Sequence, residues 1–141
     1  MPVFIDIHCH IVPNIDDGAT NLQQSVRMAR TAFEDGTKGL NATPHESGST
    51  GIVTAKVIKK RITLFRDQVN PQDIELTVLP GAEIRINPEL PKLLKQGKVL
   101  TLADRGKHVL LEMPHDAFDA VSVGRLSRKR MAASMNARKR I

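Results

Sequence analysis

Phe4-Ile5-Asp6-Ile7-His8-Cys9-His10-Ile11-Val12-Pro13, continued by Asn14-Ile15-Asp16-Asp17-Gly18-Ala19, sets the reading of everything after it. Val3 to Ile7 is a short β-rich apolar run that ends at His8, the pattern of a buried strand. Pro13, Asn14, Asp16, Asp17 and Gly18 then read as a loop. His8 and His10 flank one residue at the strand end. Side chains at i and i+2 of an extended segment point the same way, so both imidazoles can converge on one cation. The competing reading is a structural histidine hydrogen-bonded in a loop.

Downstream, the same unit recurs. Thr20, with Gln23 three residues on, predicts a capping box. Leu22, Val26, Ala29 and Phe33, supported by Ser25 and Ala32, follow at helical spacing until Gly36. Gly39 to Thr43 is a second strand, followed by Pro44 and His45, and Glu46 to Gly51 reads as a small polar loop. A helix from roughly Thr54 to Val69 has Ile58, Ile62, Phe65 and Val69 as its apolar face, with Lys56, Lys59, Lys60 and Arg66 mostly solvated. Leu76 to Leu79 is a third strand, leading into Pro80, Gly81, Ala82 and Glu83. A short helix from Glu89 to Gln96 stops at Gly97. His108 to Glu112 is a fourth strand, before Met113, Pro114 and His115. Strands alternating with helices predict an α/β fold with a parallel sheet.

Each candidate ligand sits at or just after the carboxyl end of a strand, where β/α barrels place their chemistry. Asp16-Asp17-Gly18 by itself is an ordinary turn, and His45 by itself an ordinary loop residue. Glu83 follows an apolar strand. Glu112 ends the run Val109-Leu110-Leu111, where a lone carboxylate is costly to bury unless a cation or charged partner offsets it; a strand end opening into solvent is the alternative. Together, His8, His10, Asp17, His45, Glu83 and Glu112 put three histidines and three carboxylates at four consecutive strand ends. Mixed imidazole and carboxylate donors suit Mn2+, Zn2+ or Fe2+, with Mn2+ favoured as oxygen ligands accumulate. A shared carboxylate brings two ions close enough to clamp a phosphoryl group.

Composition bounds these readings. The chain has 141 residues, 40% hydrophobic and 26% charged, enough for one ordinary domain. With no Trp and no Tyr, the core must be aliphatic with a few Phe. The single cysteine, Cys9, excludes an internal disulfide and fits a reducing cytoplasm. No apolar run is long enough to span a bilayer. The net charge of +6 is unevenly spread: residues 116–141 hold seven basic and two acidic residues, a net of +5, which leaves +1 for residues 1–115. That tail has no interleaved aromatic residues for base stacking, so a solvated basic segment is the better reading than a nucleic-acid interface.

The long signature from Phe4 to Ala19 resembles the start of the bacterial PHP-type protein tyrosine phosphatases, the manganese-dependent enzymes of capsule and exopolysaccharide gene clusters. Ala42-Thr43-Pro44-His45, Leu79-Pro80-Gly81-Ala82-Glu83-Ile84-Arg85 and Leu110-Leu111-Glu112 match that family's next motifs in order and at similar spacing. The resemblance covers about residues 2–118. It implies a distorted β/α, TIM-like barrel of which residues 1–118 are the N-terminal strands and helices, and a trinuclear metal centre. His8 and His10 would bind one ion, Asp17 and His45 another, Glu83 would bridge, and Glu112 would complete the central site. A metal-bound hydroxide would attack the phosphorus of phosphotyrosine. The implied partner is a phosphotyrosine-containing protein such as a bacterial tyrosine kinase. No phosphocysteine is implied: the arginine of a Cys-x5-Arg loop would fall at Ile15, so Cys9 is read as a small packing residue.

Two family features are missing. A His-Pro-Glu-Arg-like segment, whose arginine holds the substrate phosphate, and a later Asp-x-His segment have no counterpart here, so no substrate-binding residue is assigned. Residues 119–141 do not look like the family, and Val121 to Arg130 reads like translation in a shifted frame, an expectation that sequencing the encoding DNA would test. Four barrel strands also leave an open edge. The alternatives are therefore another PHP-superfamily phosphoesterase, such as a histidinol-phosphate phosphatase or nuclease, and a truncated metal binder without turnover.

Overall fold

The computed structural model describes residues 3–47 and 53–113. Their order is β1 (Phe4–Cys9), α1 (Leu22–Glu34), β2 (Thr37–Ala42), β3 (His45–Glu46), α2 (Ala55–Val69), β4 (Thr77–Pro80), β5 (Glu83–Arg85), α3 (Leu90–Lys95) and β6 (Leu110–Glu112). Short 3-10 turns follow α2 and precede β6. Every strand pairing is parallel, so the expected α/β architecture is present.

The strands form two sheets, in the orders β1-β2-β4 and β3-β5-β6. These are two halves of one ladder. Ala42 pairs with Pro80, and His45 with Glu83, in the same register. Between them, the Gly81 N–H donates to the Ala42 carbonyl at 3.0 Å and the Glu83 N–H to the Pro44 carbonyl at 3.0 Å. β2 and β3 are thus one strand interrupted at Thr43-Pro44, and β4 and β5 one strand interrupted at Gly81-Ala82. Proline has no N–H to give a ladder, which explains why pairing lapses beside Pro44. Four strands, the second and third of them interrupted, therefore lie side by side in chain order, as the sequence alternation predicts.

The core is aliphatic around one aromatic ring. Thr54 caps α2 by accepting from the Val57 N–H, and Ile58, Ile62, Phe65 and Val69 are all buried, at the spacing of one helix face. They pack with Leu40, Val78, Ile84, Leu90 and Leu100. Arg66, expected in solvent, instead lies half-buried and donates its guanidinium N–H groups to the Val78 carbonyl. Lys59 pairs with Asp104.

Several expectations need correcting. β1 is not buried: Phe4, Ile5 and Ile7 are 53%, 61% and 55% exposed. The reason is position, since among the described residues β1 has a partner strand on one side only. The N-cap of α1 is Asn21, whose side chain accepts from the Gln24 N–H, while the Gln24 side chain accepts from both the N–H and the hydroxyl of Thr20. The capping pair is shifted one residue from the predicted one. Glu46 is not a loop residue but the end of β3, and it is buried. The last strand is shorter than His108 to Glu112. His115 and the tail from 119 to 141 lie outside the described residues.

Phe65→Ala should cost about 3–5 kcal/mol of folding stability, because the ring is buried and leaves a cavity. Leu64→Ala, one position along and exposed, should cost under about 0.5 kcal/mol. Urea unfolding of both variants checks the assigned helix face.

Candidate metal centre

The carboxyl ends of all four strands meet at one place. β1 delivers His8 and, one residue past its end, His10. The loop after it delivers Asp16 and Asp17. β3 opens with His45, β5 opens with Glu83, and β6 closes with Glu112. The ladder pairing of His45 with Glu83 sets these two side by side.

Three donor atoms converge most tightly. His8 Nε2 lies 3.2 Å from His10 Nε2, and Glu83 Oε2 lies 3.2 Å from the first and 3.1 Å from the second. The i, i+2 argument for the two histidines is met by this geometry. Neighbouring donors around a cation with bonds of ~2.0–2.2 Å stand about 3.0–3.4 Å apart, so this triad has the spacing of a ligand set. A second group, within 4.8 Å of one another, comprises His10, Asp17 and His45. Asp17 Oδ1 is 3.5 Å from His10 Nδ1 and from His45 Nε2. On its other side, His45 Nδ1 is 3.5 Å from Glu83 Oε2 and 3.5 Å from Glu112 Oε2. That nitrogen is buried and has no hydrogen-bond partner among the described residues. A buried imidazole nitrogen facing two carboxylate oxygens, too far for a hydrogen bond, is a gap that a cation fits. All six sequence-predicted residues are therefore brought together, with Glu112 reaching the cluster only through His45.

Sequence reasoning missed Asp16. Its side chain is 4% exposed, against 78% for Asp17; its Oδ2 lies 2.9 Å from His10 Nδ1, and it accepts hydrogen bonds from the His45 and Gly18 N–H groups. The doubled aspartate was the available signal: adjacent side chains in a turn face different ways, so one of the pair turns inward. Gly18 was read only as a turn former. A methyl group there would overlap the carbonyl oxygen and Cβ of His10. Glu46, beside His45, accepts from the Leu100 N–H at 2.8 Å. Burial, partly offset by the Leu100 and Ala55 N–H groups, holds its carboxyl above the ordinary carboxylate range.

Cys9 lies between the two histidines but takes no part in the cluster. Its N–H donates to the Thr43 hydroxyl at 3.0 Å. Burial, with the nearby Asp6 charge adding to it, pushes the thiol up to about 11. A thiol this basic is a poor nucleophile near neutral pH, in keeping with the packing role read from the sequence.

Comparison with known proteins gives a consistent result. A model of the family described as capsular polysaccharide synthesis, CpsB/CapC, matches residues 4–128; the sequence reading placed its boundary at 118. The tyrosine-protein phosphatase YwqE of Bacillus subtilis is 38% identical over 112 residues, covering 79% of this chain and 44% of that protein. The tyrosine-protein phosphatase CpsB of Streptococcus agalactiae is 26% identical over 108 residues, covering 77% of this chain and 44% of that protein. A solved chain superposes with a TM-score of 0.84 at 34% identity, covering 93% of this chain and 52% of its own length. It comes from structures of YwqE from Bacillus subtilis and CpsB from Streptococcus pneumoniae, described as unique metal-dependent tyrosine phosphatases. The chain thus spans about half the length of the relatives it matches.

Two outcomes follow from the geometry. At pH 8 the Cys9 thiolate should be about a hundredfold scarcer than that of an ordinary thiol, so a disulfide-exchange reagent should label folded protein slowly and urea-unfolded protein fast. Gly18→Ala should cost about 1–3 kcal/mol through overpacking against His10, read as a lower thermal midpoint.

Proposed function

The chain belongs to the CpsB/CapC family of capsular polysaccharide synthesis, and from that premise we propose that it is a metal-dependent phosphatase acting on phosphotyrosine in proteins. The observation that carries this reading is the convergence of His8 Nε2, His10 Nε2 and Glu83 Oε2 within 3.2 Å of one another. The names of the relatives supply the substrate class. A bacterial tyrosine kinase is the natural partner in that setting, and the cytoplasm the compartment. No helix among the described residues is long and apolar enough to cross a membrane.

In this reading His8 and His10 hold one cation, Asp17 and His45 hold a second, and Glu112 completes a central position. Glu83 suits the bridging role, because its Oε2 lies 3.1–3.5 Å from nitrogens of His8, His10 and His45. Three carboxylates beside three histidines favour Mn2+, with Zn2+ or Fe2+ as alternatives. Bound divalent ions supply Lewis acidity and lower the pKa of a coordinated water towards neutrality. The protein residues hold the donors in place, and the exposure of Asp17 leaves the cluster open on the side where a phosphate can enter. The fold reading is the N-terminal portion of a PHP-type barrel, with residues 119–141 as a separate basic segment.

A second reading is metal binding without turnover. It is favoured by the donor set itself: the clustered side chains are histidines and carboxylates, which can hold a cation but bring no cationic side chain to hold a phosphate.

Hydrolysis of p-nitrophenyl phosphate and of a phosphotyrosyl peptide by the purified chain, with Mn2+ and with a chelator, tests both. Mn2+-dependent turnover that drops to background in His8→Ala and Glu83→Ala supports the phosphatase. Folded protein that binds Mn2+ but turns over neither substrate supports the second reading. Turnover unaffected by chelation would sink the metal-dependent mechanism.

A further inference from the structure

His10 belongs to both candidate ligand groups, and one imidazole cannot serve both as a neutral ligand. Its Nε2 faces His8 and Glu83, and its Nδ1 faces Asp17. A neutral ring offers a lone pair at one nitrogen only while the other carries the proton. What decides the matter is the carboxylate nearest to Nδ1. That is Asp16 Oδ2 at 2.9 Å, not Asp17 Oδ1 at 3.5 Å.

The geometry points to Asp16 as the positioning residue that sorts the ligands between the two metal positions, by holding the proton on His10 Nδ1. An ionised carboxylate only accepts, so Asp16 requires a donor at Nδ1. The Nε2 lone pair is then free, and it aims at the point shared with His8 and Glu83. His10 is thereby committed to the His8–Glu83 position, and Asp17 and His45 hold theirs without it. This rests on the metal-binding reading above.

Asp16 does a second thing from the same oxygen. Oδ2 also accepts from the main-chain N–H of His45 at 3.0 Å, while Oδ1 accepts from the Gly18 N–H at 3.0 Å. One buried carboxylate therefore ties the end of β1, the following loop and the start of β3. The His10 and His45 rings are held edge to face, with centroids 4.8 Å apart. A carboxylate buried this far needs its acceptor capacity filled, and all three of these donors come from segments that carry the cluster. Outer carboxylates that orient a metal-binding histidine are typically worth about 10–100-fold in affinity.

The test uses the full chain. In Zn2+-loaded protein with 15N-labelled histidine, long-range 1H–15N spectra should show His10 bound through Nε2 with a slowly exchanging proton on Nδ1. Mn2+ titration followed by electron paramagnetic resonance should then show the tighter class of sites weakened about 10–100-fold in Asp16→Ala. Asp16→Asn should fall between Asp16→Ala and wild type: its amide oxygen still accepts from Nδ1, but its NH2 group opposes the Gly18 N–H. Thermal midpoints of both variants separate loss of the site from loss of the fold, and the wild-type spectrum decides the proton's place even if neither variant folds. Zn2+ bound through His10 Nδ1, or a folded Asp16→Ala protein with wild-type Mn2+ affinity and the Nδ1 proton unchanged, overturns the assignment. Wild-type protein that binds neither ion sinks the metal reading itself, and this inference with it.

Discussion

The parallel ladder between residues 37–46 and 77–85 is the constraint on which the rest depends. Its register runs unbroken through two places where regular strand geometry lapses, Thr43-Pro44 and Gly81-Ala82. Below the lapse the paired residues are core formers, such as Leu40 against Val78; above it the pair is His45 against Glu83. A slip of one residue would turn every side chain to the opposite face, exchanging core for cluster. The same backbone hydrogen bonds that hold the sheet therefore align the cluster residues, and no separate device is needed to bring two residues 38 positions apart within 3.5 Å.

Much of this was legible in advance because it depends on periodicity. The α2 face and the helix stop before Gly97 follow from spacing and cap chemistry, and the structure has both. The six cluster residues were legible because polar groups that follow apolar strands stand out against their surroundings. What was not legible depends on neighbours distant in sequence. The exposure of β1 is decided by which strands lie beside it, and its own apolar run carries no information on that. Asp16 and Asp17 are identical in type and adjacent, and only the folded loop separates one that is 4% exposed from one that is 78% exposed. Glu46 looked like loop because its partner, the Leu100 N–H, is 54 residues away.

The cluster also sets a balance between stability and chemistry. Glu83 and Glu112 approach the same nitrogen of His45, and Asp16 and Asp17 approach the same nitrogen of His10. Like charges gathered in this way repel unless a cation or protons intervene. An ion that binds only the folded chain adds about 2.7 kcal/mol at a hundred times its dissociation constant. An ion bound there would therefore stabilise the strand ends, where the like charges gather, and would leave the α2 core as it is.

β1 has a further consequence during synthesis. It is made before its parallel partner β2, which begins at Thr37. Chains grow at about 5–20 residues per second, so for some seconds the newborn segment Val3 to Ile7 has no strand to pair with. Even after β2 arrives, Phe4, Ile5 and Ile7 stay largely uncovered among the described residues. An apolar segment left uncovered in this way is the kind that holdase chaperones and quality-control proteases recognise, so β1 is a point at which the growing chain is open to them.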